Sequence, residues 1–289
     1  MHTTPDTHTP FDEHYPIVGL PQAGSRDKTI SSICKQSDFL TDRYDFWCKT
    51  MREMPRFHRK QWEFYYVAES LFQRGLLSPG KKGLVFAVGR EPLPACFASF
   101  GCSITATDLA SDDPVAEGWN STNEWCGGLD KLNDRGICDP DEFSRLVDYR
   151  PVDMNAIPAD LRNYDFNWSS CSFEHLGSIS KGLAFLKNQL DTLKPGGIAV
   201  HTTEYNVSSN HDTLEEEHCV IFRQQDIERI TAELRTLGHH VEELDFSLGW
   251  HPLDYKVSLP PYKEAHHLRL QLGHYICTSI GIIIQKKLS

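Results

Sequence analysis

The sequence predicts an α/β fold in which a seven-stranded, mostly parallel sheet is covered by helices on both faces. Three observations lead to this prediction. Seven short apolar segments rich in β-branched and aromatic residues recur along the chain, helical stretches separate the earlier ones, and the first two end at a glycine and at an acid. Because strands covered on both faces have continuous apolar runs, the pattern favours a parallel sheet.

A strand–helix–strand unit at 82–108 organises the chain. Residues 82–88 form an apolar strand that stops at Gly89, and a second strand at 103–108 finishes on Asp108. A glycine at this turn lets the backbone approach a ligand, and the terminal acid accepts hydrogen bonds from ribose hydroxyls. An ordinary unit without a ligand is the alternative for the glycine alone. With Asp108 in place, the pattern favours a Rossmann-like nucleotide site.

The segments before this unit differ in composition. Residues 1–35 are polar and without periodicity, which is typical of a loosely held N-terminal arm. Residues 36–80 are predicted to be a helical extension, whose clearest helix, 58–72, has an aromatic face. Core packing is the favoured role of that face, and capping of a bound cofactor is the alternative. Residues 81–289 then form the α/β domain.

The later strands follow in order and alternate with helices as far as the sixth. We expect them at 149–154, 164–170, 198–203, 241–246 and 275–284. Two polar or irregular stretches interrupt the pattern, and we predict substrate-side insertions there, at 204–222 and 248–272.

Composition excludes several classes of protein. A net charge of -11 over 289 residues argues against binding to nucleic acid, which usually requires a basic face. No apolar run is long enough for a membrane span, and the N-terminus lacks the pattern of a secretory signal. The nine scattered cysteines indicate reduced thiols and a cytoplasmic protein, and no spacing predicts a metal site. The oligomeric state stays open, a homo-oligomer included.

From 82 to 285 the chain resembles the class I S-adenosylmethionine-dependent methyltransferases. The features that carry the resemblance are the Gly89 turn, the terminal Asp108, the pair Asp153–Met154 and the helix end at 193–197, Leu-Lys-Pro-Gly-Gly. The resemblance implies S-adenosyl-L-methionine as cofactor. It also implies a set of cofactor-binding residues, namely Gly89, Glu91, Asp108, Leu109, Asp153, Met154, Ser170 and Cys171.

The resemblance assigns these residues to parts of the cofactor. Gly89 would contact the methionine portion, Asp108 would hold the ribose hydroxyls, and Asp153 with Met154 would lie at the adenine, although a plain loop acid is the alternative for Asp153. The methyl group would face the end of the fourth strand, near Cys171.

The glycine motif departs from the family pattern. Ala87, Glu91 and Leu93 stand where the family usually has an acid and two further glycines. The amino-acid end of the cofactor must therefore be held differently, and Glu91 is the candidate for its ammonium group.

A narrower resemblance concerns the catalytic region. Residues 173–177, Phe-Glu-His-Leu-Gly, together with the later His201, are similar to an element of cyclopropane-fatty-acid synthases. That resemblance implies that Glu174 and His201 lie near the transferred methyl group. The chain has no obvious apolar lid for an acyl chain, so a lipid acceptor is disfavoured.

Methyl transfer to a hydroxyl requires alignment, exclusion of water and a base. The strand ends at 171–175 and 201–206 should meet at the carboxyl edge of the sheet. We therefore expect His201 or His175 to be the base. The complete catalytic set is His201, His175, Glu174 and Glu204, and the substrate-binding candidates are Asn206 and Arg223.

The sequence thus predicts a methyltransferase for a small polar, hydroxylated acceptor, with O-methylation as the favoured reaction. Three alternatives remain open. The chain could be a methyltransferase-fold binding module without turnover, as the replaced glycines suggest, a cyclopropane-synthase-like C-methylating enzyme, or a nicotinamide oxidoreductase. The lone glycine and the Leu-Lys-Pro-Gly-Gly helix end disfavour the oxidoreductase.

Overall fold

A computed structural model describes residues 28–110, 128–216 and 218–289. The strands of its single sheet are β1 Ser31–Ile33, β2 Lys82–Val85, β3 Ser103–Asp108, β4 Val147–Pro151, β5 Tyr164–Ser170, β6 Leu193–Asn206, β7 His240–Val241, β8 Leu244–Asp245, β9 Val257–Ser258, β10 Arg269–Leu272 and β11 Tyr275–Gln285. The helices are α1 Asp42–Thr50, α2 Arg59–Gln73, α3 Leu93–Ser99, α4 Pro140–Leu146, α5 Ile179–Asn188 and α6 Gln224–Thr236.

The sheet has the order β4-β3-β2-β5-β6-β11-β1-β8. The first five of these strands are parallel to one another, and β11 returns antiparallel along β6 from Cys277–Asn206 to Gln285–Ile198. The chain order reverses between β2 and β5. In open α/β sheets a crevice forms outside the carboxyl ends of the strands at such a reversal, and ligands bind there.

Helices cover both faces of the sheet. One apolar layer contains side chains of α1 to α4, including Trp47, Trp62 and Phe97, and the other contains side chains of α5 and α6, including Phe185 and Ile227. The predicted fold class, a Rossmann-like sheet with helices on both faces, is confirmed. The predicted packing of the aromatic helix face is also confirmed, since Trp62 is fully buried.

The strand count differs from the predicted seven, because the described residues contain eleven strands. The predicted sixth strand is split into β7 and β8, and β1, β9 and β10 have no counterpart in the prediction. These five strands are two to four residues long. Two to four residues are too few to show a strand periodicity, so the sequence pattern could not reveal them.

The structure also corrects the extent of the predicted N-terminal arm. Within 1–35, residues 1–27 lie outside the described residues, whereas β1 pairs antiparallel with β11 and parallel with β8. Ser31 and Ile33 are fully buried there. The last part of the predicted arm is therefore a strand of the sheet, since its backbone pairs on both sides.

Both predicted insertions contain regular structure. The stretch 204–222 begins inside β6, which continues to Asn206, and 248–272 contains β9 and β10. β10 pairs antiparallel with β11 and parallel with β9. In the part of the chain that the structure describes, no helix is long and apolar enough to cross a membrane.

Candidate active site

The glycine turn and the terminal acid of the central unit contact each other directly. The Gly89 amide donates to Asp108 Oδ2 at 3.0 Å, and the Leu109 amide donates to Asp108 Oδ1 at 2.9 Å. The turn requires left-handed backbone at Gly89, with φ of 51°, a region that glycine adopts without steric cost. The structure therefore brings Gly89, Asp108 and Leu109 together at the carboxyl edge, as the sequence predicts.

Glu91 lies in the same turn but points into the protein. The indole Nε1 of Trp168, on β5, donates to Glu91 Oε1 at 2.6 Å. Burial raises the pKa of Glu91 to about 7, against the opposing effects of the Trp168 bond and of the nearby positive charge of Lys60. Glu91 thus links the turn after β2 to β5 across the point where the strand order reverses.

The predicted adenine pair is divided between two environments. Asp153 is exposed just beyond β4, and its Oδ1 accepts the Asn155 amide at 2.8 Å in a local turn. Met154 is 6% exposed and packs in the apolar layer of α5 and α6. Asp153 therefore offers a polar contact at the edge of the sheet, whereas Met154 has little surface left for a ligand.

A group of buried charged residues lies at the carboxyl ends of β5 and β6. We call Arg59, Glu63, Cys171, Glu174 and Glu204 the buried ionic cluster. The Arg59 guanidinium, from α2, donates to Glu204 Oε1, to Cys171 Sγ at 3.5 Å and to Glu63 Oε1 at 3.4 Å. One cation thus joins α2 to the ends of both strands.

Cys171 enters the cluster because the chain turns sharply after β5. Its φ is 50°, in the left-handed region, and its amide donates to Thr202 O at 3.0 Å. Two residues later the 3-10 helix Phe173–His175 brings Glu174 to the cluster, where Thr203 Oγ1 donates to Glu174 Oε2 at 2.9 Å. A ligand atom from each of Cys171, Glu174 and Glu204 lies within 4.8 Å of the other two.

Electrostatics in the cluster disfavour the charged forms of Cys171 and Glu204. Burial raises the pKa of the Cys171 thiol well above its usual value, and the neighbouring Glu174 acts in the same direction. Burial also raises the pKa of Glu204, although Arg59 opposes the shift. Removal from water disfavours a negative charge, and nearby negative charges disfavour it further.

Several buried polar atoms in this region have no hydrogen-bond partner among the described residues. They are Glu174 Oε1, Glu204 Oε2, Ser172 Oγ and Arg59 Nε. Leaving a buried polar group unpaired costs about 1–3 kcal/mol, so such groups are usually satisfied by water or a ligand. A concentration of unpaired groups in the crevice between β2, β5 and β6 is the expected property of a binding site.

His201 is not brought to this cluster, and the prediction that either His201 or His175 is the base stays a prediction. Its ring is fully buried 5.2 Å from the Phe185 ring, on the α5 face of the sheet, and Nδ1 is 2.8 Å from Ser169 Oγ. Burial lowers the pKa of His201 to about 3. A neutral imidazole enclosed by aromatic rings is poorly placed to reach an acceptor.

His175 lies at the rim of the cluster. Its side chain is 23% exposed, and its Nε2 is 4.0 Å from Glu174 Oε1. Its Nδ1 is 2.6 Å from His218 O. A carbonyl oxygen can only accept, so Nδ1 carries a hydrogen, and in the neutral ring Nε2 is the acceptor nitrogen.

Asn206 and Arg223 form the framework of the loop after β6. Asn206 Oδ1 accepts the amides of Ser208 and Ser209, both at 3.0 Å, and its Nδ2 donates to Asp212 O at 3.1 Å. Arg223 forms an ion pair with Asp226 at 2.8 Å and also contacts His211 O and Glu215. Their polar groups therefore hold the loop, and the predicted substrate contacts stay untested.

The sequence analysis missed the contribution of α2 to the site. Arg59, Lys60 and Glu63 are polar or charged residues at the start of this helix, and Glu63 is fully buried. Arg59 and Glu63 are four residues apart, so they share one helix face with the buried Tyr66. Charged residues on the apolar face of a helix were the available signal.

Comparison with known proteins gives similarities at the level of structure. No family model matches the chain, and no curated protein matches it. Among solved structures, the [4+2]-cyclase SpnF has 16% identity and a TM-score of 0.49 over 77% of this chain and 81% of its own. Magnesium protoporphyrin IX methyltransferase from Synechocystis PCC 6803, with bound S-adenosylhomocysteine, has 9% identity and a TM-score of 0.47 over 86% of this chain and 97% of its own.

A third similar structure is an S-adenosylmethionine-dependent methyltransferase from Aquifex aeolicus. It has 15% identity and a TM-score of 0.40 over 75% of this chain and 88% of its own. All three identities are low, and the reactions of these proteins are not transferred to this chain on that basis.

Proposed function

We propose that this protein is an S-adenosylmethionine-dependent methyltransferase that acts on an oxygen of a small, hydroxylated acceptor. One observation carries the proposal: the Gly89–Asp108 pair lies at the carboxyl edge where the strand order reverses, and the unpaired carboxylate oxygens of Glu174 and Glu204 lie at the same edge. The first feature fits a ribose, and the second fits the hydroxyl groups of an acceptor.

The cofactor would lie along the ends of β3, β2 and β5. Asp108 would accept the ribose hydroxyls, because its carboxylate lies at the carboxyl end of β3 and is oriented there by the amides of Gly89 and Leu109. The adenine would then lie towards Asp153. The ammonium group would lie at Glu91, whose carboxylate faces the end of β5.

Lys60 is our candidate for the cofactor carboxylate, a group that the sequence left without a partner. Its side chain is 37% exposed, and its Nζ is 3.6 Å from Glu63 Oε2. Its ammonium group therefore lies beside the buried ionic cluster, and its charge opposes the rise in the pKa of Glu91. A cation there would compensate for the two missing glycines.

S-adenosylmethionine would supply an electrophilic methyl group to the acceptor oxygen, and its sulfonium would leave as the neutral sulfide. The acceptor hydroxyl loses its proton to His175 Nε2, the acceptor nitrogen fixed by the Nδ1 contact to His218 O. Glu174, 4.0 Å away, would stabilise the imidazolium that forms. Glu204, held by Arg59, would bind a further acceptor hydroxyl.

Cofactor binding tests the proposal most directly. Calorimetric titration of the full chain should show micromolar affinity for S-adenosylmethionine and for S-adenosylhomocysteine. Asp108→Ala should abolish binding of both, because the ribose loses its acceptor. Asp148→Ala, an exposed acid on β4, is the matched control and should bind normally. Near-normal affinity in the Asp108 variant would remove Asp108 from the ribose role, and no binding by the natural chain would overturn the proposal.

A binding module without turnover is the second candidate. It is favoured by Glu91, which is buried and bonded to Trp168 at a position where the related enzymes have glycine. Such a module would show one of two results. It would either bind neither ligand, or bind S-adenosylmethionine and never convert it to S-adenosylhomocysteine across a panel of hydroxylated acceptors.

A further inference from the structure

The thiol of Cys171 lies beside the carboxyl groups of Glu174 and Glu204, and it contacts Glu204 Oε1 at 3.7 Å. The ligand atoms of Cys171, Glu174 and Glu204 all lie within 4.8 Å of one another, and all three side chains are buried. Ligand atoms around a tetrahedral zinc ion are roughly 3.5 Å apart, given metal–ligand distances near 2.0–2.3 Å. Small side-chain rotations would close the remaining gap.

The two carboxylates have the same arrangement. In each, one oxygen is held by a protein donor: Arg59 binds Glu204 Oε1, and Thr203 donates to Glu174 Oε2 at 2.9 Å. The other oxygen of each, Glu204 Oε2 and Glu174 Oε1, is buried and unpaired. In metal-binding carboxylates, one oxygen typically coordinates the ion while a protein hydrogen-bond donor holds the other oxygen and so orients the group.

The charges around this position also favour a dication. Metal coordination requires ionised ligands, and in that state the carboxylates of Glu63, Glu174 and Glu204 outnumber the cations Arg59 and Lys60 in the described part of the site. A divalent ion bound to the thiolate of Cys171 would balance the remaining negative charge, since buried charges are stable when they are paired or coordinate metals. Arg59 is compatible with this arrangement, because its N–H group, 3.5 Å from Sγ, would donate a hydrogen bond to the thiolate.

We propose that Cys171, Glu174 and Glu204 bind a divalent transition metal of the zinc class. A thiolate selects such an ion over magnesium or calcium, and three protein ligands leave a fourth position open. If the proposed function holds, the ion would replace the direct contacts of Glu174 and Glu204 with the acceptor: its open position would take the acceptor oxygen, and the ion would lower the pKa of that hydroxyl. Metal binding itself does not depend on the proposed function.

Cobalt is the probe for the site. The purified full chain is stripped with a chelator, dialysed against Co²⁺ or Zn²⁺, and its metal content is measured per chain. We expect one equivalent of either ion and, with Co²⁺, a thiolate-to-cobalt charge-transfer band in the near ultraviolet. Cys171→Ser should remove that band, and Glu174→Gln should lower the affinity at least tenfold while the band remains.

Two further variants separate coordination from general damage. Cys219→Ser changes another, half-buried thiol and should keep both the band and the affinity. Thr203→Val removes the donor to Glu174 Oε2 and should weaken binding by about tenfold, whereas Thr203→Ser should restore it. If Cys171→Ser does not fold, the contrast between Thr203→Val and Thr203→Ser decides.

The possible outcomes distinguish the two proposals. Less than a stoichiometric metal ion after reloading, an unchanged band in Cys171→Ser, or loss of the band in Cys219→Ser would overturn the metal site. Binding of S-adenosylmethionine without metal binding would support the proposed function and overturn the metal site. Metal binding without binding of S-adenosylmethionine or S-adenosylhomocysteine would support the metal site and overturn the proposed function.

Discussion

Two polar residues three positions apart on β6, His201 and Glu204, lie in contrasting surroundings. His201 lies beside β5, bonded to Ser169 and enclosed by the rings of Phe173 and Phe185. Glu204 lies past the end of β5, next to Arg59. Both are buried, and burial favours the neutral form of each side chain. It lowers the pKa of His201 and raises the pKa of Glu204.

The alternation of side chains along a strand accounts for this difference, because residues three positions apart face opposite sides of the sheet. His201 faces Phe185 of α5, and Glu204 faces Arg59 of α2. The last pair of β5 with β6 is Ser170 with Thr202, so β6 continues beyond it to Asn206. The space beside the extension is filled by the turn at Cys171 and the short helix with Glu174. Thr202 faces the same side as Glu204 and donates to Glu63 Oε2 at 3.2 Å, so the residues of β6 that face α2 reach the cluster both beside β5 and beyond its end.

Breaking the ion pair at Glu204 should have the largest effect. Arg59→Ala leaves the carboxylate of Glu204 buried without its cation and Glu63 with Lys60 alone, so the free energy of unfolding should fall by about 3–5 kcal/mol. Arg145→Ala, in an exposed pair with Glu142, is the control and should change it by less than about 0.5 kcal/mol. Urea unfolding at neutral pH measures both. Equal effects would mean that Arg59 does not sustain the cluster.

His201 should instead affect stability through pH. Its ordinary pKa of 6.5 falls to about 3 in the fold, so the unfolded chain binds a proton that the folded chain does not. Stability should therefore be complete above about pH 6.5 and fall towards pH 3, by up to about 1.4 kcal/mol per pH unit. His201→Asn, which can keep the Ser169 bond, should lose less between pH 7 and 5 in urea unfolding.

The same variant tests the catalytic prediction for His201. Because its ring is fully buried, His201→Asn at pH 7.5 should bind S-adenosylmethionine normally and, once an acceptor is known, keep its turnover. Loss of turnover with intact binding would show that His201 is the base. His201 would then belong to the active site together with Glu204.

The predictable part of the fold was the part with long, regular patterns. The βαβ unit at 82–108 and the return strand β11 follow from apolar runs that need no tertiary information. β1, β9 and β10 were missed because two to four residues acquire strand geometry only from their neighbours. Such strands are defined by pairing, which the local sequence does not show.

The candidate site was predictable where its residues end strands of the central unit. Gly89 and Asp108 meet as expected, and Glu174 and Glu204 converge. His201 was grouped with Glu204 because both lie near the end of one strand, although residues three positions apart on a strand face opposite sides of the sheet. The sequence also could not show that Arg59 reaches the strand ends from α2, because that contact crosses 145 positions.

Glu91 gives the smallest and most specific test, because it is a buried acid at the cofactor end of the crevice. Its pKa of about 7 means that the carboxylate becomes protonated as the pH falls below 7. A protonated Glu91 attracts an ammonium group less, so affinity for S-adenosylhomocysteine should decrease from pH 8 to 6, by up to about tenfold per unit below the pKa. Glu91→Gln should bind more weakly at pH 8 and show less pH dependence.

Calorimetric titration of both proteins at pH 6, 7 and 8 separates Glu91 from the ligand. The amino group of S-adenosylhomocysteine titrates equally in both experiments, so the difference between the two pH profiles reports the residue alone. Parallel pH profiles would mean that Glu91 does not bind the ammonium group. Its role would then be structural, as the acceptor of the Trp168 bond that links the turn after β2 to β5. The ammonium group would then need another acceptor in the crevice, and Glu63, fully buried and 3.6 Å from Lys60 Nζ, would be the next residue to vary.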